Sequence, residues 1–276
     1  MRAIFAIVMR NLIKLSRDGM RLFFTVFMAV TFLFIFSFVM KSSMAGLDHP
    51  MNYLISGIII MTVFQTALNN SMSILEDISS GFMKEILVAP ISRWQIAIGH
   101  VLSSAIIAVL QGSVIIIIGL FMGLRADALH VVLMVGLMAL VGLTFSSMGL
   151  YFAALAKESA AFQLLVTLVT MPLTFLSGAY IPTMIMPRIL RPIVYLNPLT
   201  YATSAFRYVS LNMGGLSMNA LIKSGVAFDI RGFIVTPCLG AMLIGVIGAV
   251  FMFLCVNQFI HADLSRVKVF RRHGHR

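Results

Sequence analysis

The sequence predicts an all-α integral membrane protein with six transmembrane helices, and three observations carry that prediction. Of 276 residues, 60% are hydrophobic and 11% charged, against roughly 25% charged in an ordinary soluble domain. Six stretches free of Asp, Glu, Lys and Arg are long enough to span, since a hydrocarbon core about 30 Å thick takes about 20 helical residues. Finally, the basic excess of 20 Lys+Arg over 9 Asp+Glu, a net charge of +11, sits in short segments between those runs. Charges so placed set membrane orientation, and they are not interleaved with aromatics on a polar chain as nucleic-acid binding requires.

The elements follow in order. Residues 1–21 place Arg10, Lys14, Arg17 and Arg21 at helical spacing, with Ile4, Val8, Leu12 and Leu15 on another face. This reads as a basic amphipathic helix in the inner membrane interface, either an anchor or a docking element. The same basic residues interrupt what would be the apolar core of a cleaved signal peptide. The transmembrane domain covers 22–260, with runs at 22–40, 51–75, 94–124, 128–156, 159–187 and 232–260. The third to fifth exceed one crossing and must tilt, bend or extend into the interface.

Between the second and third runs lies a loop, 76–93. Glu76 and Asp77 end the span, and Ser79, Ser80 and Gly81 loosen the chain. A short helix over 82–88 puts Phe82 and Ile86 on one side, with Lys84 and Glu85 turned away, until Pro90 stops it. It is an interfacial connector or a knob received by a partner. The segment 181–231 carries Pro182, Pro187, Pro192 and Pro198 and an apolar stretch at 199–211 too short to span. It predicts short or re-entrant helices packed on the bundle. A basic tail, 261–276, closes the chain.

Loop charges give the orientation. With both termini cytoplasmic, the inner side holds Arg2, Arg10, Lys14, Arg17, Arg21, Lys84, Arg93, Lys157, Arg266, Lys268, Arg271, Arg272 and Arg276. The outer side holds the smaller set of Lys41, Arg125, Arg188, Arg191, Arg207, Lys223 and Arg231, mostly in one long loop where the positive-inside bias counts for less.

Several chemistries lack their residues. The dipeptide Gly-Lys does not occur, so no phosphate-binding G-x-x-x-x-G-K-[ST] loop exists. There is no H-E-x-x-H and no Cys/His cluster with ligand spacing; Cys238 and Cys255 fall in the last apolar run, and His261, His273 and His275 in or near the tail. Proton-coupled transport wants a titratable group inside the spans, and His100 near the inner end of the third is the sole candidate. An intramembrane hydrolase would need paired acids or a serine with a base. The energy source is therefore another polypeptide, or the protein is a passive channel or carrier. What the spans do carry is neutral polar stripes. Thr62, Thr66, Asn69 and Ser73 repeat along the second, with Gln65 and Asn70 beside them, and Gln163, Thr167, Thr170 and Thr174 along the fifth. Amides are costly in hydrocarbon, so these faces meet protein or a cavity, as helix–helix contacts or as substrate contacts.

Three motifs carry a family resemblance: Gly81-Phe-Met-Lys84-Glu85-Ile-Leu-Val-Ala-Pro90-Ile-Ser-Arg93, the turn Leu176-Ser-Gly-Ala-Tyr-Ile-Pro182, and Asn197-Pro198-Leu-Thr-Tyr201 followed by Arg207. In that order on six spans, the chain from about Arg10 to the sixth span resembles type-2 ABC exporter permeases, the group of daunorubicin-resistance and nodulation-factor membrane subunits. Ser204 and Ala205 stand where family members often carry an acid before the arginine. The resemblance implies a transport subunit, not an enzyme, of the bacterial plasma (inner) membrane. It pairs with a second copy or a paralogous permease and docks two copies of an ABC ATP-binding subunit. That partner holds ATP and Mg, while this chain binds no cofactor or metal and its other neighbour is membrane lipid. The resemblance assigns coupling to Gly81, Lys84, Glu85, Pro90 and Arg93, with Arg10 and Lys14 on the N-terminal helix. It assigns the outer motif to Asn197, Pro198, Tyr201 and Arg207. Cargo in the family ranges over lipophilic drug-like compounds, lipids and glycans.

Overall fold

The computed structural model describes residues 2–43, 50–88, 91–124, 126–156, 158–183, 186–230 and 232–261. Pro90, expected to stop the loop helix, and tail residues 262–276 lie outside them. Among the described residues the chain is helical apart from one two-stranded hairpin. The long helices are α1 (Arg2–Arg17), α2 (Gly19–Ser43), α3 (Pro50–Asn70), α6 (Arg93–Phe121), α7 (Ala128–Ala156), α8 (Ser159–Leu176) and α12 (Pro237–His261). The short ones are α4 (Ser73–Ser79) and α5 (Phe82–Val88), and then α9 (Arg191–Leu196), α10 (Pro198–Ser210) and α11 (Met218–Lys223) between α8 and α12. Five stretches are long and apolar enough to cross a membrane, and the number is six if α1 and α2, which meet at a 70° bend, are taken together as one span.

Helix α3, which continues through α4, is the axis of the bundle: 78% of its most apolar stretch is buried, against 17% for α8 and 22% for α12. The reason is legible residue by residue. Leu54, Ile55, Ile58, Ile59, Ile60, Val63, Phe64, Ala67 and Leu68 are buried on every side of it, the pattern of a helix apolar all round. Small residues let neighbours come close, as association inside lipid demands. A Cβ on Gly112 of α6 would come within 2.6 Å of Val63, and one on Gly149 of α7 within 2.6 Å of Ser71. Hydroxyls bond neighbouring backbones, Ser146 donating to the Val101 carbonyl (3.1 Å) and Thr144 to that of Ile244 (3.1 Å). Phe64 and Phe145 meet edge to face at 4.6 Å.

The fifth apolar run, 159–187, exceeds its helix as expected: α8 continues past Pro172 and ends at Leu176, at the Ser177-Gly178 turn. Two expectations are corrected. The last helix begins at Pro237 instead of 232. The residues before it form a hairpin, β1 (Phe228–Ile230) on β2 (Phe233–Val235), closed by Asp229 accepting the Gly232 N–H at 2.8 Å. In the loop helix α5, Met83 and Ile86 are the buried pair, while Phe82 lies at the surface. Of the short helices after α8, α10 packs on the bundle, buried along most of its length against α12, α7 and α3.

Candidate functional site

Two ends of the α3–α4 axis carry the polar structure. At one end α1 lies along α6, with Ile7 against Gly99, where a Cβ would come within 3.1 Å of it. Ile7, Asn11 and Leu15 are buried there and Ile4, Val8 and Leu12 half-buried, while Phe5, Met9 and Ile13 face out. The helix is thus seated on protein by one apolar face and keeps a second for its surroundings. Arg10, expected on the basic face, turns to its own chain. It pairs with Asp77 of α4, donates to Asn11 Oδ1 at 2.9 Å, and lays its guanidinium 4.8 Å from the Phe82 ring of α5. Asn11 in turn donates to Ser103 of α6 at 2.7 Å. Lys14 meets Glu76 at 2.5 Å, an exposed pair. His100, fully buried in α6, sits 3.7 Å from Asp77 and 3.4 Å from Ser73.

One residue therefore touches three elements. Asp77, buried to 8% exposure by α4, would be costly alone; Arg10 neutralises it and in doing so fastens α1 to α4 and α5. Gly81 supplies the bend between α4 and α5 at φ +82°, a conformation that a side chain disfavours. Beyond it Glu85 is exposed and Val88 is 88% exposed, so α5 offers its outer side. Arg93 at the start of α6 reaches the Ile260 carbonyl (3.2 Å) at the end of α12. The Lys84 side chain and Pro90 lie outside the described residues.

At the other end α10 is fixed by the Asn-Pro-Leu-x-Tyr motif. Asn197 caps it, accepting the Leu199 N–H at 2.9 Å, while its amide donates to the Leu173 carbonyl of α8 at 2.9 Å. Pro198 occupies the first turn, where the missing N–H costs nothing. Tyr201 donates to the Tyr195 carbonyl at 2.5 Å. Arg207 is 1% exposed: one nitrogen donates to Tyr53 Oη (2.7 Å), another to the Ala179 carbonyl (2.8 Å), and its Cζ lies 3.4 Å from the Tyr53 ring centroid. Among the described residues no carboxylate pairs with it. Ser204, in the acid's place, donates instead to the Val226 carbonyl. Gly57 makes the approach possible, because a Cβ there would collide with the Ala179 carbonyl.

Between the ends, the two stripes separate by burial. Thr62, Thr66 and Asn70 are buried and Gln65 and Asn69 exposed on α3, whereas Gln163 and Thr167 are exposed on α8 and Thr170 half-exposed. Thr62, Thr167 and Thr170 return their hydroxyls to their own helix. Asn69 and Gln163 line one cavity of about 400 Å³, together with Asn11, Lys14 and Ser103. Asn69 also borders a second cavity of about 330 Å³, between α2, α3 and α6. The sequence reading passed over four residues here: Asn11, Ser103, Gln111 and Tyr53. Asn11 was findable as the polar residue on an apolar helical face, and Gln111 as a lone amide deep in an apolar run; nothing marks Tyr53 or Ser103.

The ABC-2 type transporter family model matches residues 2–211. A protein named as a transport permease, ycf38, in Porphyra purpurea is 31% identical over 69% of this chain and 71% of its own length. YadH, named as an inner membrane transport permease in Escherichia coli K12, is 26% identical over 67% of this chain and 72% of its own. YbhR of the same organism, named as a multidrug ABC transporter permease, is 26% identical over 63% of this chain and 47% of its own.

Proposed function

The chain belongs to the ABC-2 type transporter family as a membrane permease subunit, and we propose that it exports a lipophilic drug-like compound, lipid or glycan across the bacterial plasma membrane. In this reading both termini are cytoplasmic and the energy comes from two copies of a separate ATP-binding subunit, which holds the ATP and Mg. A second copy of the chain, or a paralogous permease, completes the pathway. The relative named as an inner membrane permease supports the location, and the one named as a multidrug permease supports the cargo class.

The observation that carries the proposal is the Arg10 junction. A force on the exposed side of α5 reaches α1 through Phe82 and Arg10, the α3–α4 axis through Asp77, and α6 through Asn11 and Ser103. ATP binding biases a two-state bundle only if the docked element makes different contacts in the two states, and a joint of this kind is where they can differ. Among the described residues no helix covers the exposed amides Gln65, Asn69 and Gln163, which fits a face closed by the second permease or lining the pathway.

The test is co-purification with the ATP-binding subunit encoded beside this chain, then MgATP hydrolysis in lipid, for the native protein, Glu85→Ala and a chain lacking its first 17 residues. A stable complex whose coupled export collapses in both variants supports the reading; no bound ATPase and unaffected variants remove it. Asn69→Leu with Gln163→Leu should lower export with the complex intact, and unchanged export would take the stripes out of the pathway.

A further inference from the structure

His100 stands where α1, α4 and α6 meet, and one of its ring nitrogens is unspent. Gly99 beside it receives Ile7 of α1, where a Cβ would come within 3.1 Å. The ring reaches two residues of α4: Nδ1 lies 3.4 Å from Ser73 Oγ, and Nε2 lies 3.7 Å from Asp77 Oδ2. His100 is 1% exposed, and Nε2 has no hydrogen-bond partner among the described residues. Asp77 Oδ2 is also the oxygen that Arg10 Nη2 holds. One carboxylate oxygen therefore has one partner in contact and a second about 0.5 Å outside hydrogen-bond range.

A carboxylate as buried as Asp77, 8% exposed, needs a donor in every state the bundle visits, because a lone buried charge is heavily penalised. Arg10 has room to leave: its side chain is 30% exposed, and it already divides its contacts between Asp77, Asn11 and the Phe82 ring. Lys14 and Glu76 pair with each other at 2.5 Å, so neither competes for Asp77. His100 supplies what the carboxylate then lacks. A neutral imidazole has one N–H and one lone pair, and a lone pair facing an anionic oxygen is repelled, so the proton belongs on Nε2. The Ser73 hydroxyl, which donates or accepts with equal ease, then donates to Nδ1. A small slide of α4 against α6 closes Nε2–H on Asp77, with no proton gained or lost.

We propose that His100 is the second partner of Asp77: when load on α5 draws Arg10 away, the carboxylate passes to His100 Nε2–H, which stabilises the moved state of the junction. His100 is a positioning residue that acts on coupling through Asp77. The inference deepens the export reading and rests on it for calling this movement ATP-driven.

Two substitutions separate this role from mere packing. Gln sets its amide nitrogen near the place of Nε2 and keeps the donor, while Asn sets its amide near Nδ1 and leaves Asp77 without one. With the full chain in lipid nanodiscs, His100→Gln and His100→Asn should melt alike while Arg10 is present. On an Arg10→Ala background His100→Asn should melt about 2–4 °C below His100→Gln, and adding Asp77→Asn should close the gap. In the complex with the ATP-binding subunit, His100→Gln should keep most of the acceleration of MgATP hydrolysis that the native permease gives, and His100→Asn should lose about tenfold of it. Gln and Asn variants that match in both measurements, or an Asn variant that accelerates hydrolysis as the native chain does, overturn the proposal. Should neither variant fold, isotope-labelled histidine reads the intact ring. Of the six histidines, one Nε2–H resonance should move downfield from the native chain to Arg10→Ala, as its hydrogen bond shortens; an unchanged spectrum overturns the exchange. The melting and labelling arms need no ATP-binding subunit. A native chain that binds none sinks the exporter reading, and those two arms still decide between one partner and two for Asp77.

Discussion

The two arginines at opposite ends of the α3–α4 axis are held by opposite means. Arg207 is sealed in protein, 1% exposed, with two of its nitrogens bonded to Tyr53 and Ala179 and its plane against the Tyr53 ring. Its partners are neutral, and Gly57 admits the backbone that completes them. Arg10 has a side chain 30% exposed, a carboxylate partner in Asp77, and contacts on three separate elements. A cation fixed by rigid neutral groups has no second arrangement at hand. A cation shared between a carboxylate, an amide and a ring at the protein surface can exchange partners. On the proposed coupling, the Arg207 end is the fixed one and the Arg10 end the one that changes contacts.

The largest expected effect comes from attacking the rigid end. Arg207→Leu leaves the Tyr53 hydroxyl and the Ala179 carbonyl without their donor and removes a desolvated cation–π contact, at a cost of about 3 kcal/mol or more. Thermal unfolding in lipid should show a large drop, and Arg207→Lys, which loses the planar fork, should recover only part of it. Gly57→Ala comes next. The new methyl must push the Ala179 carbonyl aside at about 1–3 kcal/mol, so its melting temperature should fall although the substitution adds apolar surface.

At the other end the effects on stability shrink and those on coupling grow. Arg10→Ala removes the neutralising partner of a nearly buried carboxylate, and Arg10→Ala with Asp77→Asn should recover stability of the order of 1 kcal/mol relative to the single variant. Coupled ATP hydrolysis should stay low in both, since the tie between α1 and α4 is gone. Smallest is the exposed pair of Lys14 and Glu76, at 58% and 49% side-chain exposure. Glu76→Gln should shift stability by less than about 0.5 kcal/mol, and any shift should fade with added salt. An Arg10→Ala protein that unfolds as readily as Arg207→Leu, or that keeps full coupling, would break the comparison.

Much of this was legible in the sequence. Spans follow from apolar length, and the helix of residues 82–88, the amphipathic first helix and the short outer helices follow from spacing, proline and charge. What was not legible is what each polar residue faces. The basic face of α1 reads as a membrane anchor or a docking surface, yet Arg10 and Lys14 spend their charge on Asp77 and Glu76, acids whose proximity only the fold creates. Arg207 reads as an outer-loop cation because prolines precede its segment and the stretch is too short to span; its burial depends on Gly57, 150 residues earlier. The β1–β2 hairpin was hidden by its two short strands, too brief to show alternation. Spans were overrun at their ends, as in the fifth, because apolar composition continues through the Ser177-Gly178 turn that stops the helix. The two stripes looked alike in spacing, and only packing separates buried Thr66 from exposed Asn69.

The end of the bundle carrying α1 and α5 is proposed to receive the ATP-binding subunit. The most direct measurement is site-directed cross-linking in proteoliposomes, with Cys238 and Cys255 replaced by serine and single cysteines introduced by Val88→Cys on α5 and Ile189→Cys before α9. Both positions are more than 80% exposed, so accessibility does not distinguish them. Val88→Cys should give an adduct with the ATP-binding subunit whose yield changes when MgATP is added, and Ile189→Cys none. An adduct from Ile189→Cys and none from Val88→Cys would contradict it, because energy would then enter at the end fixed by Arg207.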